Sequence, residues 1–159
     1  PPEDGATFEA NALIKARSAA KETGLPALAD DSGLEVDFLM GRPGVFSARY
    51  SGPHATDELN NMKLLKELQR APFEKRRARF RCAAAFVDKG AEAVFAGALE
   101  GVIAENPAGR GGFGYDPLFF LPEYGKTVAE LKPEEKNKIS HRAAAFSRFK
   151  EWFLRGVTG

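Results

Sequence analysis

The sequence has few of the residues that form disulfides or bind zinc. Its 159 residues include one cysteine, Cys82, and two histidines. A single cysteine cannot form an internal disulfide, and these three side chains are too few for a structural zinc site built from nitrogen and sulfur ligands. The shortage favours a reducing, cytoplasmic compartment and predicts that any catalytic metal is bound through oxygen ligands.

The features of membrane proteins and nucleic-acid-binding proteins are also missing. No apolar run approaches the ~20 residues of a membrane span. The 23 Lys and Arg residues are balanced by 22 Asp and Glu residues, which leaves a net charge of +1. The basic stretch at residues 75–81 has no aromatic residues on the same face that could stack on bases, so it is interpreted as a solvated strand face. We therefore expect no membrane and no nucleic-acid partner.

The chain does contain enough apolar side chains for a compact core, with 43% hydrophobic residues and thirteen Phe. Its length is typical of a single domain, residues 1–159. Helical and extended patterns alternate between Gly and Pro residues, which predicts a mixed α/β fold. The predicted elements are a helix over Phe8–Thr23, strands over residues 25–29 and 34–38, a helix after Thr56 with Leu59, Met62, Leu65 and Leu68 facing inward, antiparallel strands over residues 77–87 and 93–102, an extended segment over residues 116–121, and a last helix from Ser140 to a terminator at Gly156.

Two adjacent carboxylates, Asp30 and Asp31, follow the first predicted strand and precede Ser32 and Gly33. Carboxylates at the carboxyl end of a strand suit Mg²⁺, which prefers oxygen ligands and often shares them with substrate phosphates. The alternative is a turn in which one Asp bonds the backbone and the other is solvated. The pair alone leaves both interpretations open.

A glycine-rich segment at residues 109–114 matches the G-x-G-x-x-G pattern. An extended segment follows it, whereas a dinucleotide-binding fold requires a helix there, so that fold is rejected. Two interpretations remain. The segment forms an anion-binding loop with Phe113 and Tyr115 stacking on a base, or it is a plain hairpin loop with core aromatic residues.

The start of the last predicted helix carries Ser140, His141 and Arg142, with Lys136 a few residues upstream. Free N–H groups and basic side chains at a helix start can bind an anion, although a capped helix with a surface histidine is the alternative. Acids for a metal, a glycine-rich loop, aromatic rings and a basic group together describe a nucleotide phosphate site better than any other ligand site.

Longer segments carry a resemblance to a known family. In chain order, the sequence contains Thr7-Phe8-Glu9-Ala10-Asn11-Ala12, Ala29-Asp30-Asp31-Ser32-Gly33-Leu34, Pro43-Gly44-Val45-Phe46-Ser47-Ala48-Arg49-Tyr50-Ser51-Gly52, Gly111-Gly112-Phe113-Gly114-Tyr115-Asp116-Pro117, Glu134-Glu135-Lys136 and Ser140-His141-Arg142. These segments resemble the inosine triphosphate pyrophosphatase family of bacterial type. The resemblance implies an elongated two-lobed α/β fold with a central mixed β-sheet flanked by helices, an active-site cleft between the lobes, and a homodimer. It also implies Mg²⁺-dependent hydrolysis of non-standard purine nucleoside triphosphates, such as dITP, ITP and XTP, to the monophosphate and pyrophosphate.

The same resemblance implies roles for individual residues. Asp31 would activate water and, with Glu3, hold the Mg²⁺ ion, with Asp30 supporting them. The substrate would be bound by Ser32, Phe113, Gly114, Tyr115, Asp116, Lys136, His141 and Arg142, of which the loop residues hold the sugar and stack on the base and the last three read the purine edge. Cationic donors favour a 6-oxo group, which accepts hydrogen bonds, over the amino group of adenine, which donates them.

The sequence departs from the family pattern at its start. Family members begin with a strand and a phosphate-binding loop of the form Thr-x-Asn-x-x-Lys, whereas Pro1 aligns after that segment. We therefore expect this N-terminal strand and phosphate loop to be missing. A nucleotide-binding but inactive module, or a truncated fragment, is the alternative to the enzyme. A related pyrophosphatase of the septum-inhibitor type is a third hypothesis, against which residues 113–116 and the His141-Arg142 pair count.

Overall fold

The computed structural model describes residues 1–158, without the side chains at positions 157 and 158. The α-helices are α1 (Phe8–Thr23), α2 (Asp57–Glu67), α3 (Pro133–Ile139) and α4 (His141–Thr158), and the strands are β1 (Ala27–Val36), β2 (Arg77–Asp88), β3 (Ala91–Ile103), β4 (Phe119–Leu121) and β5 (Lys126–Thr127). Short 3₁₀ helices cover Asp37–Leu39, Gly44–Arg49, Phe73–Lys75, Asp116–Leu118 and Val128–Glu130. None of the helices in the described part of the chain is both long enough and apolar enough to cross a membrane.

The strands form one five-stranded sheet in the order β1-β2-β3-β4-β5. A two-residue turn, Lys89 and Gly90, joins β2 to β3, and both residues have positive φ angles, 47° and 87°. This is the backbone geometry of a tight hairpin turn, as the sequence predicted. Antiparallel pairing continues through β4, where Phe120 lies opposite Val102 of β3 and Thr127 of β5. The structure confirms the predicted α/β class, a sheet flanked by helices.

The chain divides into two compact units, and β1, β2 and β3 contribute residues to both. The first unit consists of Pro1–Ser32, Arg81–Ala98 and Ser140–Gly159, and the second consists of Gly33–Phe80 and Leu99–Ile139. A cluster in the first unit packs Cys82 and Ala84 of β2 against Ala145 and Phe146 of α4. The main core of the second unit includes the fully buried residues Leu34, Leu64, Leu68, Ile103, Leu118 and Phe119.

Helix α1 begins and ends where the sequence predicts. The Thr7 hydroxyl accepts a hydrogen bond from the Ala10 amide at 3.1 Å, and Gly24 ends the helix in a left-handed conformation with a φ of 69°. Both are common helix boundary signals. Inside the helix, the buried Asn11 side chain accepts a hydrogen bond from the Gly5 amide at 2.8 Å. That contact ties the N-terminal segment, which contains Glu3, to the helix.

The acid pair lies inside a strand, so the prediction that it follows a strand is wrong. β1 runs without a break over Ala27–Val36, where the sequence predicted two strands with the acids between them. The apolar residues at the start of the predicted strand are exposed, Leu25 at 66% and Leu28 at 38%. The two acids do not interrupt the strand because each finds a basic partner on its own face of the sheet, as described below.

Two further predictions about helices are wrong. In α2, Leu59 and Met62 are exposed, whereas Asn60 faces inward and accepts hydrogen bonds from the amide and hydroxyl of Ser51. A polar residue can thus occupy an inward position of a helix when it forms hydrogen bonds with a neighbouring loop, even where the apolar pattern predicts a leucine. At the other end of the chain, α4 continues through Gly156, which is exposed and does not terminate it.

Candidate active site

A basic side chain joins two of the predicted metal-binding acids. Lys15 of α1 places its ammonium group 2.9 Å from Glu3 Oε1 and 3.0 Å from Asp31 Oδ1, and it also donates to the main-chain carbonyl of Asp30 at 3.0 Å. Burial lowers the pKa of Lys15, but the hydrogen bonds and charges of Glu3 and Asp31 outweigh that effect and raise the pKa above its ordinary value. Asp31 itself is nearly buried. The cluster is therefore a charged group held in a defined place in the first unit.

The Asp30 side chain faces the other side of the strand. Its Oδ1 accepts a hydrogen bond from Nη2 of Arg142 at 3.1 Å, while its Oδ2 lies 3.5 Å from the Ser32 hydroxyl and 3.8 Å from the Cys82 sulfur. Adjacent residues of a strand alternate between its faces, which explains why two neighbouring acids meet different partners. The main-chain carbonyl of Asp30 therefore shares the Lys15 ammonium with Asp31, whereas the Asp30 carboxylate contacts Arg142.

Cys82 lies under this second group and is buried. Burial is the largest cause that raises the pKa of its thiol, to about 11, and the nearby Asp30 charge adds to the effect. At neutral pH the side chain is therefore a protonated thiol that can donate a weak hydrogen bond to Asp30. This placement argues against a nucleophilic cysteine.

The start of α4 is fixed by its cap and by close packing. The Ala143 amide donates to the Ser140 hydroxyl at 3.1 Å, which confirms the predicted cap. Gly97 of β3 lies so near that an added Cβ would come well inside 3.0 Å of two backbone atoms, the His141 carbonyl oxygen and the Ala145 amide nitrogen. A glycine on the strand is thus what lets the first turn of the helix, with His141 and Arg142, approach the sheet.

A second group of predicted residues meets in the second unit. Lys136 of α3 lies 2.7 Å from Oδ2 of Asp116 and 4.5 Å from the centre of the Phe113 ring. The same Oδ2 accepts a hydrogen bond from the Phe113 amide at 3.1 Å. Gly112 has a φ of 69°, and an added Cβ would overlap the Asp116 carboxylate, so glycine is required there. The Phe113 ring remains 64% exposed, which leaves it available to stack on a flat ligand.

Tyr115 and Gly114 hold the loop in place through hydrogen bonds to other segments. Tyr115 is buried, and its hydroxyl donates to the Ser47 carbonyl at 2.7 Å, so its ring offers no face to a base. This corrects the expectation that both aromatic residues could stack on a base. Gly114 is held through its backbone, because its amide donates to Asp57 at 2.8 Å and its carbonyl accepts from Asn61 at 3.0 Å. Both partners lie on α2, which thereby fixes the loop.

The positions of the predicted acids show whether they could bind a metal such as Mg²⁺. Glu3 and Asp31 supply hard carboxylate oxygens that already approach one cation, the Lys15 ammonium. Within residues 1–158, no group of three or more His, Cys, Asp or Glu side chains is placed to hold a metal. Mg²⁺ is commonly bound by one or two carboxylates together with water and substrate phosphates, so a two-carboxylate donor set is compatible with it.

The predicted site residues thus form two groups. The first unit contains Glu3, Asp30, Asp31, Ser32, His141 and Arg142, and the second contains Phe113, Gly114, Tyr115, Asp116 and Lys136. Three further residues that contact the predicted site residues, Lys15, Asp57 and Asn61, were not predicted from the sequence. For Lys15 a signal existed, because a lysine four residues after Asn11 extends a polar face on a helix otherwise rich in alanine. No comparable signal marked Asp57 and Asn61, which are ordinary polar residues of a capped helix.

Comparison with known proteins adds independent information. The model of the Ham1 family matches residues 1–152. A Geobacter sulfurreducens protein named dITP/XTP pyrophosphatase is 59% identical over 150 residues, which are 94% of this chain and 75% of that protein. A Geobacillus kaustophilus protein of the same name is 55% identical over 158 residues, or 99% of this chain and 78% of that protein. The solved structure of a HAM1 protein from Coxiella burnetii superposes with a TM-score of 0.92 at 47% identity and covers 98% of this chain and 80% of that one.

Proposed function

Because the chain belongs to the Ham1 family, we propose that it hydrolyses non-standard purine nucleoside triphosphates, such as dITP, ITP and XTP, to the monophosphate and pyrophosphate. Its relatives at 59% and 55% identity are named dITP/XTP pyrophosphatases. The structural observation that carries the proposal is the cluster in which one ammonium group contacts the carboxylates of Glu3 and Asp31. Removal of such substrates would keep deaminated purines out of the nucleotide pool.

Asp31 is the proposed proton acceptor. Cleavage between the α and β phosphates requires a water that attacks phosphorus in line with the departing pyrophosphate. A positioned carboxylate can take the proton of that water as the new bond to phosphorus forms. The hydrogen bond from Lys15 to Oδ1 of Asp31 restrains the carboxylate, and its near-complete burial limits the competing hydration that would weaken it.

Glu3 and Asp31 are the proposed Mg²⁺ ligands. Their oxygen donors fit a hard divalent cation, and the substrate triphosphate supplies further oxygen ligands of the same kind. When bound, the metal neutralises negative charge on the departing pyrophosphate. Lys15 contributes a permanent positive charge to the same place and partly offsets the repulsion between Glu3 and Asp31.

Selection of the purine is assigned to hydrogen-bond donors. The donors proposed to read the purine edge are Lys136, His141 and Arg142, and the 6-oxo group of hypoxanthine or xanthine accepts hydrogen bonds. The 6-amino group of adenine donates hydrogen bonds instead, so it would form none with these donor side chains. In the second unit, the exposed Phe113 ring would stack on the base, and Asp116, already bonded to the Phe113 amide, would fix the loop at the sugar.

Ser32, Gly114 and Tyr115 complete the proposed set of substrate-binding residues. A homodimer and a cytoplasmic location also belong to the proposal. The homodimer rests on the family resemblance, and sedimentation of the purified chain at several concentrations measures it. The cytoplasmic location rests on the single cysteine, which suits a reducing compartment.

The variant Asp31→Asn tests the proposed mechanism. It keeps the shape of the side chain but removes the negative charge and most of the basicity. We expect turnover of dITP to fall by about a thousandfold, while dITP binding measured calorimetrically in EDTA is retained. The products of the wild-type reaction should be dIMP and pyrophosphate, identified by chromatography.

The matched control is Glu92→Gln, which removes an exposed carboxylate of the same unit that pairs with Arg17. It should leave turnover unchanged. Wild-type turnover in Asp31→Asn would contradict the role of Asp31. Release of dIDP and phosphate by the wild-type chain would contradict the proposed reaction.

A further inference from the structure

The two acids of β1 have separate surroundings. Side chains alternate between the faces of a strand, so Asp31 meets Lys15 of α1, whereas Asp30 shares a face with Ser32 and meets Arg142 of α4. The Asp30 carboxylate therefore takes no part in the contacts that surround the proposed proton acceptor. Any effect of the Asp30 carboxylate on the reaction would therefore act through Arg142 of α4.

Arg142 is restrained at both of its ends. Its backbone lies in the first turn of α4, which is capped by Ser140 and packed closely on Gly97. At the other end, Nη2 of its guanidinium donates to Oδ1 of Asp30 at 3.1 Å. The Arg142 side chain is nevertheless 51% exposed. A long side chain that would otherwise sample many rotamers is therefore held in one direction while part of its donor surface stays accessible.

The Asp30 carboxylate is itself a fixed platform. Its Oδ2 lies within reach of two neutral donors, the Ser32 hydroxyl at 3.5 Å and the Cys82 thiol at 3.8 Å. The side chain is mostly shielded, at 22% exposure, and a single methylene group joins its carboxylate to the strand backbone. The two oxygens thus divide their contacts, and the Oδ1 atom that holds Arg142 has little freedom to move.

We propose that Asp30 is a positioning residue that aims the Arg142 guanidinium so that it discriminates a 6-oxo purine from a 6-amino purine. This inference rests on the function proposed above. A guanidinium carries donors and no acceptor, so it attracts a 6-oxo group and opposes a 6-amino group. An unanchored arginine could swing away from adenine and escape that conflict, whereas an anchored one maintains it. Asp30 thus acts on substrate selection, whereas the neighbouring Asp31 acts on the attacking water.

The test compares dITP with dATP in the variant Asp30→Asn, which keeps the side-chain shape and removes its charge. The quantity measured is kcat/KM for pyrophosphate release from each nucleotide. We expect the dITP-to-dATP ratio to fall by about tenfold, which corresponds to ~1.4 kcal/mol. A merely structural defect would lower both values together and leave the ratio unchanged. The control Glu92→Gln should leave both values and their ratio at wild-type levels.

Two variants on the helix side make the test specific. Arg142→Lys alters the donor fork without touching the strand, and it should also lower the ratio. Arg142→Ala should lower the ratio by itself, and adding Asp30→Asn should then cause no further loss, because Asp30 acts through Arg142.

An unchanged ratio in Asp30→Asn, or a further tenfold loss in the double variant, overturns the inference while the proposed function stands. Failure of the wild-type chain to release pyrophosphate from dITP or XTP contradicts the proposed function, and the inference falls with it.

Discussion

At the scale of single residues, the candidate site is built from basic side chains that each contact a carboxylate. Lys15 contacts Asp31, Arg142 contacts Asp30, and Lys136 contacts Asp116. Ion pairs of this kind add only a modest net stabilisation, because desolvating and ordering the charged side chains offsets much of their attraction. Their consequence is geometric. Each pair holds charged donors and acceptors in place before a ligand arrives, which lowers the cost of organising them during binding.

Lys15 gives a prediction about pH. Its pKa is raised in the folded chain, because the hydrogen bonds and charges of Glu3 and Asp31 outweigh the opposing effect of burial. A raised lysine pKa means that the stabilisation is fully present below the unfolded pKa near 10.5 and is lost as the pH rises through the higher folded pKa. The variant Lys15→Met should therefore unfold more easily than the wild-type chain at pH 7, and the difference should shrink above about pH 10.5.

The measurement is urea unfolding of both proteins across this pH range. The control is Lys21→Met, which removes an exposed lysine from the same helix and should have little effect at any pH. A Lys15→Met effect that stays constant to the highest pH, or one no larger than that of the control, would argue against the described cluster.

The sequence predicted many of the residues at the site, but it did not predict which residues they contact. The acids at positions 30 and 31, the exposed ring of Phe113 and the capped start of α4 all stand out in the sequence. The pairing of Asp30 with Arg142 joins residues 112 positions apart. Such a contact depends on which face of β1 each acid occupies, and that in turn depends on the strand being continuous, which local pattern did not predict.

At the scale of elements, β1 and α4 determine where the charged groups lie. β1 continues through Asp30 and Asp31, so the strand itself separates the two carboxylates onto opposite faces. The start of α4 approaches the sheet over Gly97, which carries no side chain to obstruct it. The position of His141 and Arg142 therefore depends on a glycine of the neighbouring strand as much as on the helix sequence.

Substituting that glycine is an element-scale prediction. In Gly97→Ala, the new methyl group would collide with the backbone of α4 at His141 and Ala145, which can move only if the helix shifts. We expect unfolding to become easier by about 1–3 kcal/mol, the usual cost of overpacking. Because the shift displaces the first turn of α4, the kcat/KM for dITP should fall as well. Thermal unfolding and pyrophosphate release measure the two effects.

The same helix supplies the matched control. Gly156 is an exposed residue inside α4, and an added Cβ there meets no atom of the described residues within 4 Å. Gly156→Ala should therefore stabilise the protein by up to about 1 kcal/mol, because alanine favours the helix over glycine. A Gly97→Ala protein as stable and active as wild type would contradict the close packing described for β3 and α4.

Elements with strong local boundary signals were predictable, and elements set by tertiary contacts were not. Helix α1 has both a Thr7 cap and a Gly24 stop, and the turn at Lys89 and Gly90 gives the β2–β3 hairpin. The inward residues of α2 were predicted incorrectly because Asn60 forms hydrogen bonds to Ser51 of a neighbouring loop. The helix sequence alone does not reveal that contact. The continuity of β1 depends likewise on basic partners from α1 and α4.

At the scale of the whole molecule, each compact unit carries one group of the proposed site residues on its own core. The first unit holds the acids and the α4 residues beside a small cluster around Cys82, and the second holds the glycine-rich loop on a larger core that includes Phe119. The chain as a whole belongs to the Ham1 family, whose model matches residues 1–152. The activity proposed for the chain is hydrolysis of the non-standard purine triphosphates dITP, ITP and XTP.

The most direct test is pyrophosphate release by the purified chain with Mg²⁺, measured on dITP, XTP and dATP in parallel. We expect release from dITP and XTP with a kcat/KM at least about a hundredfold above that for dATP, because a site built to donate hydrogen bonds to a 6-oxo group rejects a base that donates there. Equal release from dITP and dATP, or release from neither dITP nor XTP, would contradict the proposed function.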